Sequence, residues 1–182
     1  MKLISCTIEN FGKLNNVTYD FSGECNTICE DNGWGKSTLA SFIRVMFYGF
    51  KNESKKKLVD KERNRLMPWQ KGVYGGEIVF ETGGVVYSLR RTFGKKQVDD
   101  EFLLVRKDTN VECDDFSCDI GEELFKIDAQ SFERTVFIGQ SDCVTATTDS
   151  INAKIGNLAD NTDDINNFET AVGRLTAVLN NI

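Results

Sequence analysis

The 182-residue chain contains no histidine, so it lacks the side chain most used for proton transfer near neutral pH and the commonest metal ligand. Any metal site built on thiols would have to come from Cys6, Cys25, Cys29, Cys113, Cys118 and Cys143 alone. Their spacings show no paired Cys-x2-Cys pattern, which argues against a zinc module. Cys25 and Cys29 lie on an apolar-alternating stretch and are expected to be core thiols on a buried strand. No apolar run approaches the roughly 20 residues that span a bilayer. The opening Met1–Thr7 is also too short an apolar run for a signal peptide, so a reducing cytoplasm and no membrane partner are the expected setting. Two further patterns are missing: four apolar residues ending in Asp-Glu, and a Ser-Gly-Gly signature. Phosphoryl transfer needs groups that position a metal and a water and balance transition-state charge. Their absence excludes a self-sufficient hydrolytic site of that kind.

What is present centres on Glu30-Asp31-Asn32-Gly33-Trp34-Gly35-Lys36-Ser37-Thr38. A short apolar run precedes it, and Leu39, Ile43 and Phe47 recur four apart after it. Strand, glycine-containing turn and helix are the context of a phosphate-binding loop. Gly33 and Gly35 let backbone amides turn inward toward a polyphosphate, and the helix N-terminus adds donors. Lys36 supplies a point charge for the outer phosphates, and the Ser37 hydroxyl is a magnesium ligand in this chemistry. The pattern G-x-x-x-x-G-K-[ST] is met except at its first position, which is Glu30. A plain helix-capping turn also uses Ser and Thr, but it does not need two glycines and a lysine. ATP and Mg2+ are the expected cofactors.

Alternation of Ile4, Cys6 and Ile8, then of Val17, Tyr19 and Phe21, predicts two strands, with a third over 24–29. Three short strands before the loop suggest a mixed sheet. The helix should run from Lys36 to about Tyr48, stop at Gly49 and present Leu39, Ala40, Ile43 and Phe47 inward, with Arg44 solvated or, alternatively, beside the nucleotide. Glu77–Glu81 and Val85–Arg91, joined through Thr82-Gly83-Gly84, form a hairpin. Phe102–Val105 reads as a further strand, and Ile120, Leu124 and Phe125 as the apolar side of a short helix. Residues 132–138 bring apolar side chains to Gly139-Gln140 and are expected to form a strand.

Charge is distributed unevenly. Residues 1–98 hold 16 Lys and Arg against 10 Asp and Glu, whereas 99–182 hold 6 against 18, so a total of -6 hides a basic half. The basic excess concentrates in 51–71, where Lys55, Lys56 and Lys57 lie together. This stretch is either a solvated loop or a surface that reads a nucleic-acid backbone. Trp69 either caps a core edge or stacks on a base. Beyond Ser150 the period becomes helical, with Leu158, Ile165, Phe168, Val172, Leu175, Leu179 and Ile182 near three-four spacing. Gly156 and Gly173 each weaken such a helix by about 1 kcal/mol. The stripe is either a short amphipathic helix or the start of a coiled coil.

Asn32–Thr38, preceded by Ile8-Glu9-Asn10-Phe11-Gly12-Lys13, resembles the N-terminal half of an ATPase head in the SMC-like and RecF-like AAA group, which includes the bacterial YhaN-type proteins. Arg65-Leu66-Met67-Pro68-Trp69 followed by Tyr74-Gly75-Gly76 is similar to a YhaN-type segment that lies close to the nucleotide. The resemblance implies an α/β P-loop NTPase of the ABC-type head, its N-terminal lobe over 1–149 and a helix opening a coiled coil over 150–182. It implies that Lys13, otherwise a turn lysine, approaches phosphate or base. Gln140, otherwise a structural hydrogen-bonding residue, would reach magnesium and the attacking water. The remaining catalytic motifs would come from a C-terminal half of the same protein and from a head-to-head homodimer partner, with DNA held on basic surface. A nucleotide-dependent regulatory or structural module that recruits a protein partner through its acidic half is the alternative expectation. A kinase is a third, without a recognisable acceptor-activating constellation.

Overall fold

In the computed structural model of the chain the described residues are 1–23, 25–50 and 61–137. Two compact units partition it, Met1–Ala129 and Gln130–Ile182. The first is built on a six-stranded sheet formed by β1 (Lys2–Phe11), β2 (Leu14–Asp20), β3 (Gly75–Thr82), β4 (Val85–Thr92), β5 (Glu101–Arg106) and β6 (Val111–Glu112), in the order β2-β1-β3-β4-β5-β6. Every ladder among the described residues is antiparallel, which corrects the expected mixed sheet. The hairpin read at Thr82–Val85 is there: Thr82 pairs with Val85 across a two-residue turn.

Period-two alternation puts Cys6 and Ile8 of β1, Ile78 and Phe80 of β3, Leu89 of β4 and Leu104 of β5 in the core. Helix α1 (Lys36–Tyr48) covers that face and touches β1, β3 and β4. Its buried apolar residues are Leu39, Phe42, Val45, Met46, Phe47 and Tyr48. The inward stripe is therefore wider than expected, and Ala40 and Ile43 are only half-buried. Phe42 meets Phe11 edge-on at 5.3 Å, and Phe47 meets Phe80 at 5.6 Å. Fully burying each such side chain stabilises by about 1.5–3 kcal/mol. At the far end of α1, Tyr48 stacks on Phe125 of α3 (Ile120–Phe125) and donates its hydroxyl to the Ile127 carbonyl at 3.0 Å.

Two of the buried arginines lie on or against α1 although sequence pattern made neither an inward residue. Arg44 of α1 is buried and paired with Glu62 of α2 (Glu62–Arg65), which corrects its expected solvation. Arg91 of β4 reaches the carbonyl end of α1, donating to the Phe47 oxygen at 3.4 Å and to that of Cys118. A cation there complements the helix dipole. Burial pulls its pKa down to about 10.

Three other expectations are corrected. Residues 25–29 form no strand; they are irregular and exposed, Cys25 and Cys29 included. A strand needs ladder partners, and alternation alone supplies none. Of the strand expected at 132–138, residues 132–135 are instead the end of α4 (Ala129–Thr135), where Thr135 Oγ1 donates to the Ser131 carbonyl at 2.7 Å, and residue 138 lies outside the described residues. Ala129 and Phe132 lie three apart, which is helical spacing. Gln140, Lys55, Lys56, Lys57 and the helical stripe over 150–182 lie outside the described residues.

Candidate functional site

The turn before α1 is shaped by backbone rather than by side-chain caps. Gly35 has φ +123°, and a Cβ there would approach Leu14 Cδ2 at 3.0 Å and Lys13 Cε at 3.6 Å. Glycine is therefore required for conformation, and a side chain there would also press on Leu14. Gly35 is the N-cap of α1, no side chain hydrogen-bonds the first amides, and no acidic residue lies in the first turn. A 13-residue helix thus presents its positive end without an internal anion. Lys36 Nζ folds back on the loop and donates to the carbonyls of Glu30 and of Asp31, the latter at 3.0 Å. That contact closes the loop into a ring through the Glu30 and Asp31 carbonyls.

Lys13, in the β1–β2 turn, joins this end. Gly12 and Lys13 share one cavity with Ser37, Thr38 and Ser41. Its volume is about 610 Å³, within the range of small-molecule sites. The opposite wall is Arg65, Leu66, Met67, Trp69 and Gln70. Sequence resemblance set that segment close to the nucleotide, and the cavity brings it against Lys13 and Ser37.

This wall is held from several sides. The Gly12 amide donates to the Leu66 carbonyl at 2.6 Å, and Gln70 Nε2 to Asn10 Oδ1 at 3.3 Å. Asn10 Nδ2 in turn donates to the Val73 carbonyl at 2.9 Å. From beneath, Arg63 of α2 forms a two-pronged pair with Asp100, Nη1 to Oδ1 at 2.6 Å and Nη2 to Oδ2 at 2.7 Å. Its guanidinium also lies 4.7 Å from the Phe50 ring centroid. The Tyr74 hydroxyl donates to the Arg63 carbonyl at 3.1 Å.

Of the residues singled out in the sequence, Lys13, Ser37 and Thr38 meet at the cavity, and Lys36 bonds to the loop beside it. Asn32 and Gly33 are exposed in the loop, and Trp34 packs edge-on against Tyr19 at 5.7 Å. Neither they nor Gly35 line the cavity. Sequence reasoning missed Ser41 and Gln70 as lining residues. Ser41 was findable, because four residues after Ser37 is the same helix face. Chemically, uncapped amides, an ammonium, a second lysine and the hydroxyls of Ser37, Thr38 and Ser41 fit a polyphosphate with a hard cation. Lys36 and the amides would hold phosphate oxygens, and Ser37 a magnesium ion. Among the described residues no carboxylate lines the cavity.

A family profile described as AAA domain matches residues 5–181. A Bacillus subtilis (strain 168) protein, the uncharacterised YhaN, is 35% identical over 82 residues. That alignment covers 44% of this chain and 8% of the relative, so the chain matches only a small part of the relative's length.

Proposed function

The chain belongs to the AAA domain family, as an SMC-like AAA ATPase, and from that premise we propose that the cavity beside Lys36 is its ATP–magnesium site. The observation that carries this reading is the convergence of Lys13, Ser37 and Thr38 at the uncapped start of α1. ATP supplies a phosphoanhydride and magnesium spreads the charge on it. Lys36 neutralises the outer phosphates, the amides of the loop orient them, and Ser37 holds the metal. Water activation needs a base such as a carboxylate, and among the described residues the cavity wall has none. Hydrolysis therefore uses Gln140 together with groups from a C-terminal half of the same protein and from a second head. Two heads closing on ATP and parting after hydrolysis would hold and release DNA on the basic stretch 51–71 in repair, maintenance or defence, with a coiled coil from 150 onward joining the halves.

Calorimetric titration with ATP and magnesium tests the site. Lys36→Ala should abolish most affinity with the fold intact, and unchanged binding rejects the assignment. Titration with duplex DNA at graded salt tests the partner. Neutralising Lys55, Lys56 and Lys57 should lower both affinity and salt slope, and no change in either removes DNA from the reading.

A further inference from the structure

We propose that Trp69 is the stacking platform for the base of the bound nucleotide. This inference rests on the phosphate site proposed above and adds the other end of the ligand.

Trp69 lines the cavity yet is 98% exposed. An indole offers a large flat apolar face, and leaving it wholly in water forgoes the burial that usually justifies the residue. Other large apolar side chains of the unit, such as Phe11, Phe42 and Phe80, are fully buried, so a shortage of core room is not a general feature here. The loop that carries it is also not a loose tip. Leu66 is tied by its carbonyl to Gly12, and Gln70 by its amide to Asn10, so Trp69 sits between two anchors on the end of β1. Pro68 immediately before it narrows the backbone further.

The two walls of the cavity differ in chemistry in the way a nucleotide does. Lys13, Ser37 and Thr38 are suited to anions, whereas Leu66, Met67 and Trp69, with the polar Arg65 and Gln70 beside them, offer apolar and aromatic surface. A cavity of about 610 Å³ is far larger than a phosphate group needs. One occupant satisfies both walls: a planar heteroaromatic base joined through a sugar to a polyphosphate. Stacking accepts any base with a π-face, so Trp69 contributes affinity for nucleoside triphosphates over inorganic polyphosphate and little choice among bases. Gly12 joins the two functions, since its amide fixes the Trp69 loop while Lys13 follows it in the chain.

The test compares magnesium–ATP with magnesium–tripolyphosphate, which carries the same anion and no base, on the wild-type chain, Trp69→Ala, Trp69→Phe and Lys36→Ala. Because the indole is exposed, Trp69→Ala should leave the melting temperature unchanged. It should weaken ATP about tenfold or more, by the usual value of a base stack, and leave tripolyphosphate binding as it was. Trp69→Phe should recover most of the loss. Lys36→Ala should weaken both ligands. Equal loss of both ligands in Trp69→Ala overturns the stacking role, and so does no loss of either. Unchanged ATP binding with loss of single-stranded oligonucleotide binding overturns it in favour of a nucleic-acid platform. Insensitivity of both ligands to Lys36→Ala, or no binding of either by the folded wild type, is the separate failure of the phosphate site itself.

Discussion

The main-chain amide of Gly12 donates to the carbonyl of Leu66 at 2.6 Å, which ties the β1–β2 turn that precedes Lys13 to the loop that carries Trp69. Gly12 has φ +56°, and a Cβ on it would stand 3.0 Å from Thr38 Cγ2 and 3.4 Å from Leu66 Cδ2. Turn, phosphate loop and opposite wall therefore meet at one residue without a side chain. Gly12→Ala should cost about 1–2 kcal/mol of stability from the left-handed backbone alone, and should also weaken ATP because it pushes Thr38 and Leu66 apart. Denaturant unfolding beside ATP titration checks both; a variant that loses stability but binds ATP normally would show that the walls do not depend on this contact.

Removing the carboxylate from Asp100 leaves the buried Arg63 guanidinium with the Gly94 carbonyl and two aromatic rings. Breaking a buried pair from one side costs about 3–5 kcal/mol. Asp100→Ala should fall near the lower bound because those contacts survive. Urea unfolding measures it, and a loss below about 1 kcal/mol contradicts the anchoring role given to Arg63.

Glu77 on β3 has its carboxyl held below its ordinary value of 4.5. Burial opposes the charged form, but hydrogen bonds from Ser88 at 2.6 Å and Lys107 at 3.2 Å, with Arg90 nearby, outweigh it. A depressed carboxylate contributes stability above its ordinary pKa and loses it as pH falls through the depressed one. Melting temperatures from about pH 6 to pH 3 should therefore drop more steeply for the wild type than for Glu77→Gln. Parallel curves would contradict the shift.

The thiols divide by burial. Cys6 is buried and its pKa is pushed up to about 12, chiefly by burial, whereas Cys25, Cys29 and Cys118 are exposed. Alkylation of the native protein near pH 8 should modify those three and spare Cys6 until denaturant is added. Modification of Cys6 at the same rate would place β1 outside the core.

Local signals in the sequence were sufficient where structure is decided locally. Helix α1 runs from Lys36 to Tyr48 as read, because Gly35 and Gly49 bracket a continuous apolar stripe. The hairpin at Thr82–Val85 follows from its own turn residues. Misreadings occurred where a distant partner decides. Residues 25–29 alternate like a strand but gain no ladder. Arg44, expected to be solvated, is buried because Glu62 meets it from 18 residues away. The candidate site was half legible: the Lys36–Thr38 motif carries its chemistry in its spacing, while the position of Trp69 opposite it depends on Gly12 and Asn10 holding the loop. The strand expected from 132 onward gives way to helix over 132–135 for the opposite reason, since Ala129 and Phe132 already carried helical spacing.

Hydrogen exchange with and without magnesium–ATP tests most directly whether these segments form one nucleotide site. The amides of Gly33–Ser37, Gly12 and the loop 66–70 should slow together on ligand addition, while the hairpin turn at Gly83-Gly84 stays unchanged. Protection confined to other parts of the chain, or protection of the phosphate loop with none at Gly12 and 66–70, would contradict a single site joining Lys36 to Trp69.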